Sequence, residues 1–198
     1  MYKKYVPALL VCFFSVMAAH AQAPARKIDT TMKFGKSGYR IVCTNKNADK
    51  NLLTVKPINF EKEAGGDFTL DIKGRLLKTE VEDLNRDGFP DLLLYTIMPD
   101  DSLNRVNLFA IASEENKSVV PIALPDIYND PKLRIGYKGN DTFFLMEGNL
   151  IRRYPIFPTE GAPAAAANGN MVRQVQYAVV REERGYKFKV VRTYDFTK

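Results

Sequence analysis

The sequence predicts an all-β protein: an antiparallel β-sandwich or open barrel with a calcium-binding loop between two strands. Three observations point there. Apolar and polar residues alternate in short runs, turn dipeptides fall between the runs, and no long stretch carries helical periodicity. The chain has 198 residues, 45% apolar, with 10 Tyr and 12 Phe, enough for one core and too apolar for disorder. It has no Trp, one His (His20) and 2 Cys (Cys12 and Cys43), so it is not a disulfide scaffold. A formal charge of +6 is modest for this length and does not point to nucleic acid.

Residues 1–21 are expected to be an export signal. Lys3 and Lys4 precede an almost wholly apolar run from Val6 to Ala19, which ends in Ala19-His20-Ala21. The run is short for a transmembrane helix, which needs about 20 apolar residues, so a retained anchor is the weaker alternative. Cys12 sits mid-run after Val11, which disfavours a lipoprotein. Residues 22–198 then form a single exported β-domain, periplasmic or secreted, with no transmembrane segment. Cleavage after Ala21 would remove the one His, and with it any Ser-His-Asp or Cys-His mechanism and any His-ligated zinc. It would also remove Lys3 and Lys4, lowering the formal charge from +6 to +4.

The strand runs follow in order. Runs at 31–34 and 38–45 come first; in the second, Tyr39, Ile41 and Cys43 share one phase, so Cys43 is expected to be a buried core thiol. Runs at 51–57 and 67–73 follow, the latter alternating Phe68, Leu70 and Ile72. Lys73-Gly74 turns the chain into 75–82. Leu92 to Met98 is apolar on both faces, which predicts a central strand at 91–98 covered on both sides. Runs at 104–112, 132–138, 141–147 and 149–156 are separated by Gly139-Asn140 and Gly148-Asn149. The last pair, 172–181 and 185–196, turns at Arg184-Gly185 and alternates Tyr186, Phe188 and Val190 with Lys187 and Lys189. Asp126 to Lys132 has room for one helical turn. Residues 161–170 form an Ala-rich segment whose four alanines are too few to nucleate a helix. They read as a flexible surface loop.

One motif carries chemistry. Asp83-Leu-Asn85-Arg-Asp87-Gly88-Phe89-Pro-Asp91 is D-x-N-x-D-G-x-x-D. Side-chain oxygens at positions 1, 3, 5 and 9, with the Phe89 carbonyl at position 7, make the hard oxygen set that Ca²⁺ takes; Gly88 permits the tight turn. Position 12 is Leu94 rather than the Glu of an EF-hand, and the flanks look like strands. The competing reading is a plain Asp/Asn/Gly turn. The expected cofactor is Ca²⁺, in a structural role.

Asp83 to Leu94 resembles the calcium loops of FG-GAP repeats in integrin-type propellers. One copy cannot build a propeller of typically 4–8 blades. A single such loop in a small exported β-protein is more similar to the family of periplasmic inhibitors of invertebrate-type (i-type) lysozyme. Val81-Glu82-Asp83-Leu84-Asn85 and the apolar strand after the loop carry the likeness, which spans Leu76 to Ala112; the strand-and-turn order from Leu133 to Tyr154 fits it loosely. The resemblance implies a non-enzymatic protein that binds a lysozyme or other peptidoglycan hydrolase.

Asp100-Asp101-Ser102 joins two strands and is the expected partner contact. It is read as part of an acidic cluster with Glu80, Glu82, Asp83, Asp87 and Asp91 that could steer toward a basic hydrolase. A solvated hairpin loop is the blander reading. The C-terminal Arg and Lys residues are expected on the wet face of a strand pair. The alternative function is a glycan- or cell-surface-binding module, in which Tyr and Phe would stack on sugars in place of Trp. A carboxylate-pair hydrolase needs two acids about 5–10 Å apart in a cleft, and no pair outside the calcium loop is nominated.

Overall fold

Four strands form a first sheet in simple sequence order: β1 (Ile28–Phe34), β2 (Ser37–Cys43), β3 (Lys50–Ile58) and β4 (Phe68–Lys73), each antiparallel to the next. The structure is a computed structural model and describes residues 26–61, 66–99 and 101–198. The expected leader at 1–21 and Asp100 lie outside them. The remaining strands are β5 (Arg75–Glu82), β6 (Asp91–Ile97), β7 (Val106–Glu114), β8 (Ser118–Ala123), β9 (Thr142–Met146), β10 (Asn149–Pro155), β11 (Met171–Glu182) and β12 (Gly185–Thr197). They make one eight-stranded sheet in the order β5-β6-β7-β8-β12-β11-β10-β9. Every pairing is antiparallel except β8 with β12, which run parallel, with Tyr186 opposite Ile122 and Lys187 opposite Ala123.

Strand β6 explains the architecture. All seven of its residues are buried, and successive side chains point to opposite faces. Leu92 and Leu94 pack with Tyr39, Ile41, Leu53, Val55 and Ile72 of the first sheet. Leu93 and Tyr95 join a second core with Phe143, Leu150, Tyr154, Val175, Tyr177 and Phe188. The second core is the concave face of the large sheet itself. That sheet curls until its edge strands nearly meet: Lys78 Nζ on β5 donates to the Phe143 carbonyl on β9 at 3.0 Å. The molecule is thus a two-sheet sandwich over β5–β7 and a half-barrel over the rest. Each fully buried Leu or Phe in these clusters contributes about 1.5–3 kcal/mol of transfer free energy.

Gly74 is needed where β4 turns into β5. Its φ is +75°, and a Cβ there would lie 2.3 Å from the Ile97 carbonyl oxygen. Cys43 is buried, and burial raises its thiol pKa.

Three segments differ from the sequence-based expectation. Residues 132–136 form turns and 137–138 are irregular, where a strand over 132–138 was expected. Asp130 Oδ1 accepts the N–H groups of Lys132 (2.8 Å) and Leu133 (3.0 Å), and Arg173 Nη1 donates to the carbonyls of Lys132 (2.7 Å), Leu133 (3.3 Å) and Ile135 (3.3 Å). Side chains satisfy this backbone where a ladder would have. Strand β8 was not expected, because Pro121 interrupts Val119-Val120-Pro121-Ile122 and proline lacks a ladder N–H. The Ala-rich segment holds a 3-10 turn over Ala164–Asn168, with Ala166 buried and Gly169 closing the turn at φ 71°. A second 3-10 turn, Ile127–Asn129, is capped by Asp126, within the span where one helical turn was expected. Among the described residues no helix is long and apolar enough to cross a membrane.

Candidate functional site

The Asp83–Asp91 loop joins β5 to β6 and is wound by its own side chains. Asp83 Oδ1 and Asn85 Oδ1 both accept the Asp87 N–H, at 3.0 and 3.1 Å. Asp83 Oδ2 accepts from Gly88 N–H at 2.9 Å, and Asp87 Oδ1 from Phe89 N–H at 2.9 Å. Arg86 (φ 64°) and Gly88 (φ 88°) supply the left-handed backbone that the winding needs. The side chains of Asp83, Asn85 and Asp87 thus fold toward the loop interior.

Asp91 acts from beneath. Its carboxylate is buried; Oδ2 accepts from Leu84 N–H (2.8 Å) and Asn85 N–H (3.1 Å), while Oδ1 accepts from Ser113 N–H on β7 (2.9 Å). Burial raises its pKa to about 7 against the opposing pull of these three donors. Tyr39 OH on β2 donates to the Pro90 carbonyl at 2.9 Å, and Asn116 Nδ2 donates to Ser37 Oγ at 2.8 Å. The base of the loop is therefore fastened to both sheets. Among the described residues, no three His, Cys, Asp or Glu side chains are gathered to hold a metal ion; Asp91 spends both oxygens on backbone donors. The set present is chemically a mixed one of carboxylates, an amide and a carbonyl.

The expected partner contact sits elsewhere. β6 separates Asp91 from the 98–105 connection by about 20 Å of strand, so the acidic cluster read from the sequence is divided between opposite ends of β6. Glu80 is engaged on its own: its Oε2 accepts the buried Tyr95 OH at 2.6 Å. Asp101 is not a free acidic tip. It pairs with Arg105 at 2.9 Å, which holds its carboxyl below the usual carboxylate range, and it accepts the Leu103 N–H at 3.0 Å. Backbone bonds from Asp101 N–H to Met98 (3.1 Å), Asn104 N–H to Asp101 (2.9 Å) and Asn140 N–H to Leu103 (2.7 Å) close the turn. Ser102 is exposed at its crest.

This turn borders a cleft of about 410 Å³ at the open end of the curled sheet. Tyr128, Asp126, Arg105 and Asn107 line its rim; Tyr137, Phe143 and Arg152 line its floor. The floor is a closed network. Arg152 Nε donates to Asp141 Oδ1 (2.8 Å), Arg152 Nη2 to Tyr137 OH (2.9 Å), and Tyr137 OH to Asp141 Oδ2 (2.7 Å). The guanidinium carbon also lies 5.1 Å from the Tyr137 ring and 5.3 Å from the Phe143 ring.

Sequence reasoning missed this network, although Leu150, Arg152 and Tyr154 share one strand phase, which puts an arginine on a core face. It also expected the C-terminal basic residues on a wet face. Arg184, Lys189 and Arg192 are exposed, but Arg173 is buried and holds Asp195 through two bonds of 2.8 Å.

The fold and site define an all-β protein with a fastened acidic loop at one end and a lined cleft at the other. No protein-family model matches the chain. No curated protein sequence matches it either.

Proposed function

We propose that this protein is exported and acts by binding a lysozyme or another peptidoglycan hydrolase, without catalysis of its own. The observation that supports this reading is the 98–105 turn. It stands between two strands of a packed sheet, and its described residues 101–104 are tied by backbone hydrogen bonds to one another, to Met98 and to Asn140 before any partner arrives. A loop already held in one shape loses little conformational entropy on docking, which favours tight binding. With Asp101 neutralised by Arg105, the contact rests on Ser102 and the loop backbone rather than on steering by Asp101.

Ca²⁺ in the Asp83–Asp91 loop is part of the proposal. Asp83, Asn85 and Asp87, with the Phe89 carbonyl, would hold it, and Asp91, expected from the sequence as a further ligand, would brace the loop from beneath through the N–H groups its two oxygens accept. The convergence of Asp83 Oδ1 and Asn85 Oδ1 on one N–H supports the fit. Bound there, the ion would offset the repulsion among the loop's carboxylates. Its role would be to hold the β5–β6 end rigid.

The test is turnover of cell-wall substrate by i-type, c-type and g-type lysozymes with the protein and excess Ca²⁺. At least one enzyme should be slowed. Asp101→Ala should weaken that inhibition chiefly through faster dissociation, because it unfastens the turn. If no enzyme is slowed at micromolar protein, the proposal fails.

A further inference from the structure

The cleft at the open end of the sheet has a composition that the hydrolase-binding reading does not use. We propose that it is a saccharide site, taking a short neutral oligosaccharide with one sugar ring stacked on Tyr128.

The first argument is the platform. Tyr128 is 46% exposed at the rim, yet it is held in place. Its N–H is bound to Asp126 Oδ1 at 3.0 Å, and its ring meets Tyr137 edge-on at 5.4 Å and 73°. A fixed, half-exposed aromatic face beside a concavity suits the C–H face of a pyranose, because it offers apolar contact at low entropic cost. Leu108 and Leu124 continue that apolar wall.

The second argument is charge. The ionic groups in the cleft come largely as matched pairs: Asp101 with Arg105 at 2.9 Å on the rim, and Asp141 with Arg152 at 2.8 Å beneath the floor. An anionic ligand would find both arginines already taken by carboxylates. Hydroxyl groups, which both donate and accept, need only hydrogen-bonding edges. Asp126 keeps an oxygen beyond the one that caps Tyr128, Arg105 is tied to Asp101 through Nε, and Asn107 brings an amide.

The third argument is shape. A concave volume of about 410 Å³ falls in the small-ligand range of roughly 300–1,000 Å³, and the hydrogen-bonded floor keeps it preformed.

The probes are chitotriose and cellotriose, titrated into the full chain by calorimetry with no hydrolase present, so the result is independent of the proposed target. Saturable binding of at least one trisaccharide at millimolar concentration is expected. Tyr128→Ala should weaken it about tenfold, the worth of one stacked ring. Tyr128→Phe should keep it, and thermal melts of both variants should match the parent. A sulfated disaccharide should bind no better than the neutral probes. No saturable binding of either trisaccharide, binding unchanged by Tyr128→Ala, or tighter binding of the sulfated probe would each overturn the proposal.

Discussion

Replacing Asp141 by Ala removes the carboxylate that pairs with Arg152 in the second core. Asp141 is fully buried at its side chain and Arg152 is 8% exposed, so the guanidinium would be left among Tyr137, Phe143 and Tyr154 without a counter-charge. Breaking a buried pair from one side typically costs about 3–5 kcal/mol, against a total stability of roughly 5–15 kcal/mol for a domain. With a urea slope near 2 kcal/mol per M, the midpoint should fall by about 2 M. Tyr137→Phe keeps the ring contacts but deletes the hydroxyl that both donates to Asp141 and accepts from Arg152. Its cost should be smaller, about 1–3 kcal/mol. Asp141→Ala combined with Arg152→Met removes both charges and should recover much of the loss, since a buried pair is often no better than an apolar filling. Urea melts of the four proteins give all three differences. If Asp141→Ala alone lies within about 1 kcal/mol of the parent, Arg152 is reaching water and the closed network is not what holds this core.

Two further outcomes are expected. In calcium-stripped protein, Ca²⁺ at a hundred times its Kd should add about 2.7 kcal/mol, a rise of roughly 5–10 °C in Tm for a chain of this size; Asp87→Ala should abolish the rise, and equal melts with and without Ca²⁺ would leave the loop as a turn only. Cys43, buried and with its thiol pKa raised, should resist a thiol reagent in the folded state and react fully in urea; fast labelling without denaturant would contradict the packing of β2.

What was legible in the sequence follows from how local each signal is. Leu92 to Ile97 reads as a doubly buried strand because its own residues carry the pattern, and Tyr39, Ile41 and Cys43 read as a core face for the same reason. The Asp83–Asp91 turn is local as well, since Asp83 and Asn85 bond to N–H groups a few residues away. Its fastening was not legible. Ser113 and Tyr39 reach it from strands 22 and 51 residues distant in the chain, and nothing in either residue's neighbourhood marks the role. Strand β8 was hidden by Pro121. Asp101 was legible as acidic but not as neutralised, because Arg105 four residues on could as well have pointed to solvent. Residues 132–138 were misread as a strand because Leu133 and Tyr137 face the core, but from turns and irregular backbone that Asp130 and Arg173 hold.

The pairing of β8 with β12 also sets an order of events. The large sheet consists of two antiparallel meanders, β5 to β8 and β9 to β12, and they join through a parallel seam of two residue pairs. Within each meander, neighbours in sequence are neighbours in space and can form early. The seam closes a separation of more than sixty residues, and long-range pairing of this kind is slow. Until β12 arrives, β8 offers an open edge and Phe188 is missing from the second core. A chain threaded through a membrane from its N-terminus would therefore have to keep that edge from pairing elsewhere until its last strand had crossed. β8 also carries Pro121, next to the two residues, Ile122 and Ala123, that make the seam, and a proline removes one ladder N–H from a strand.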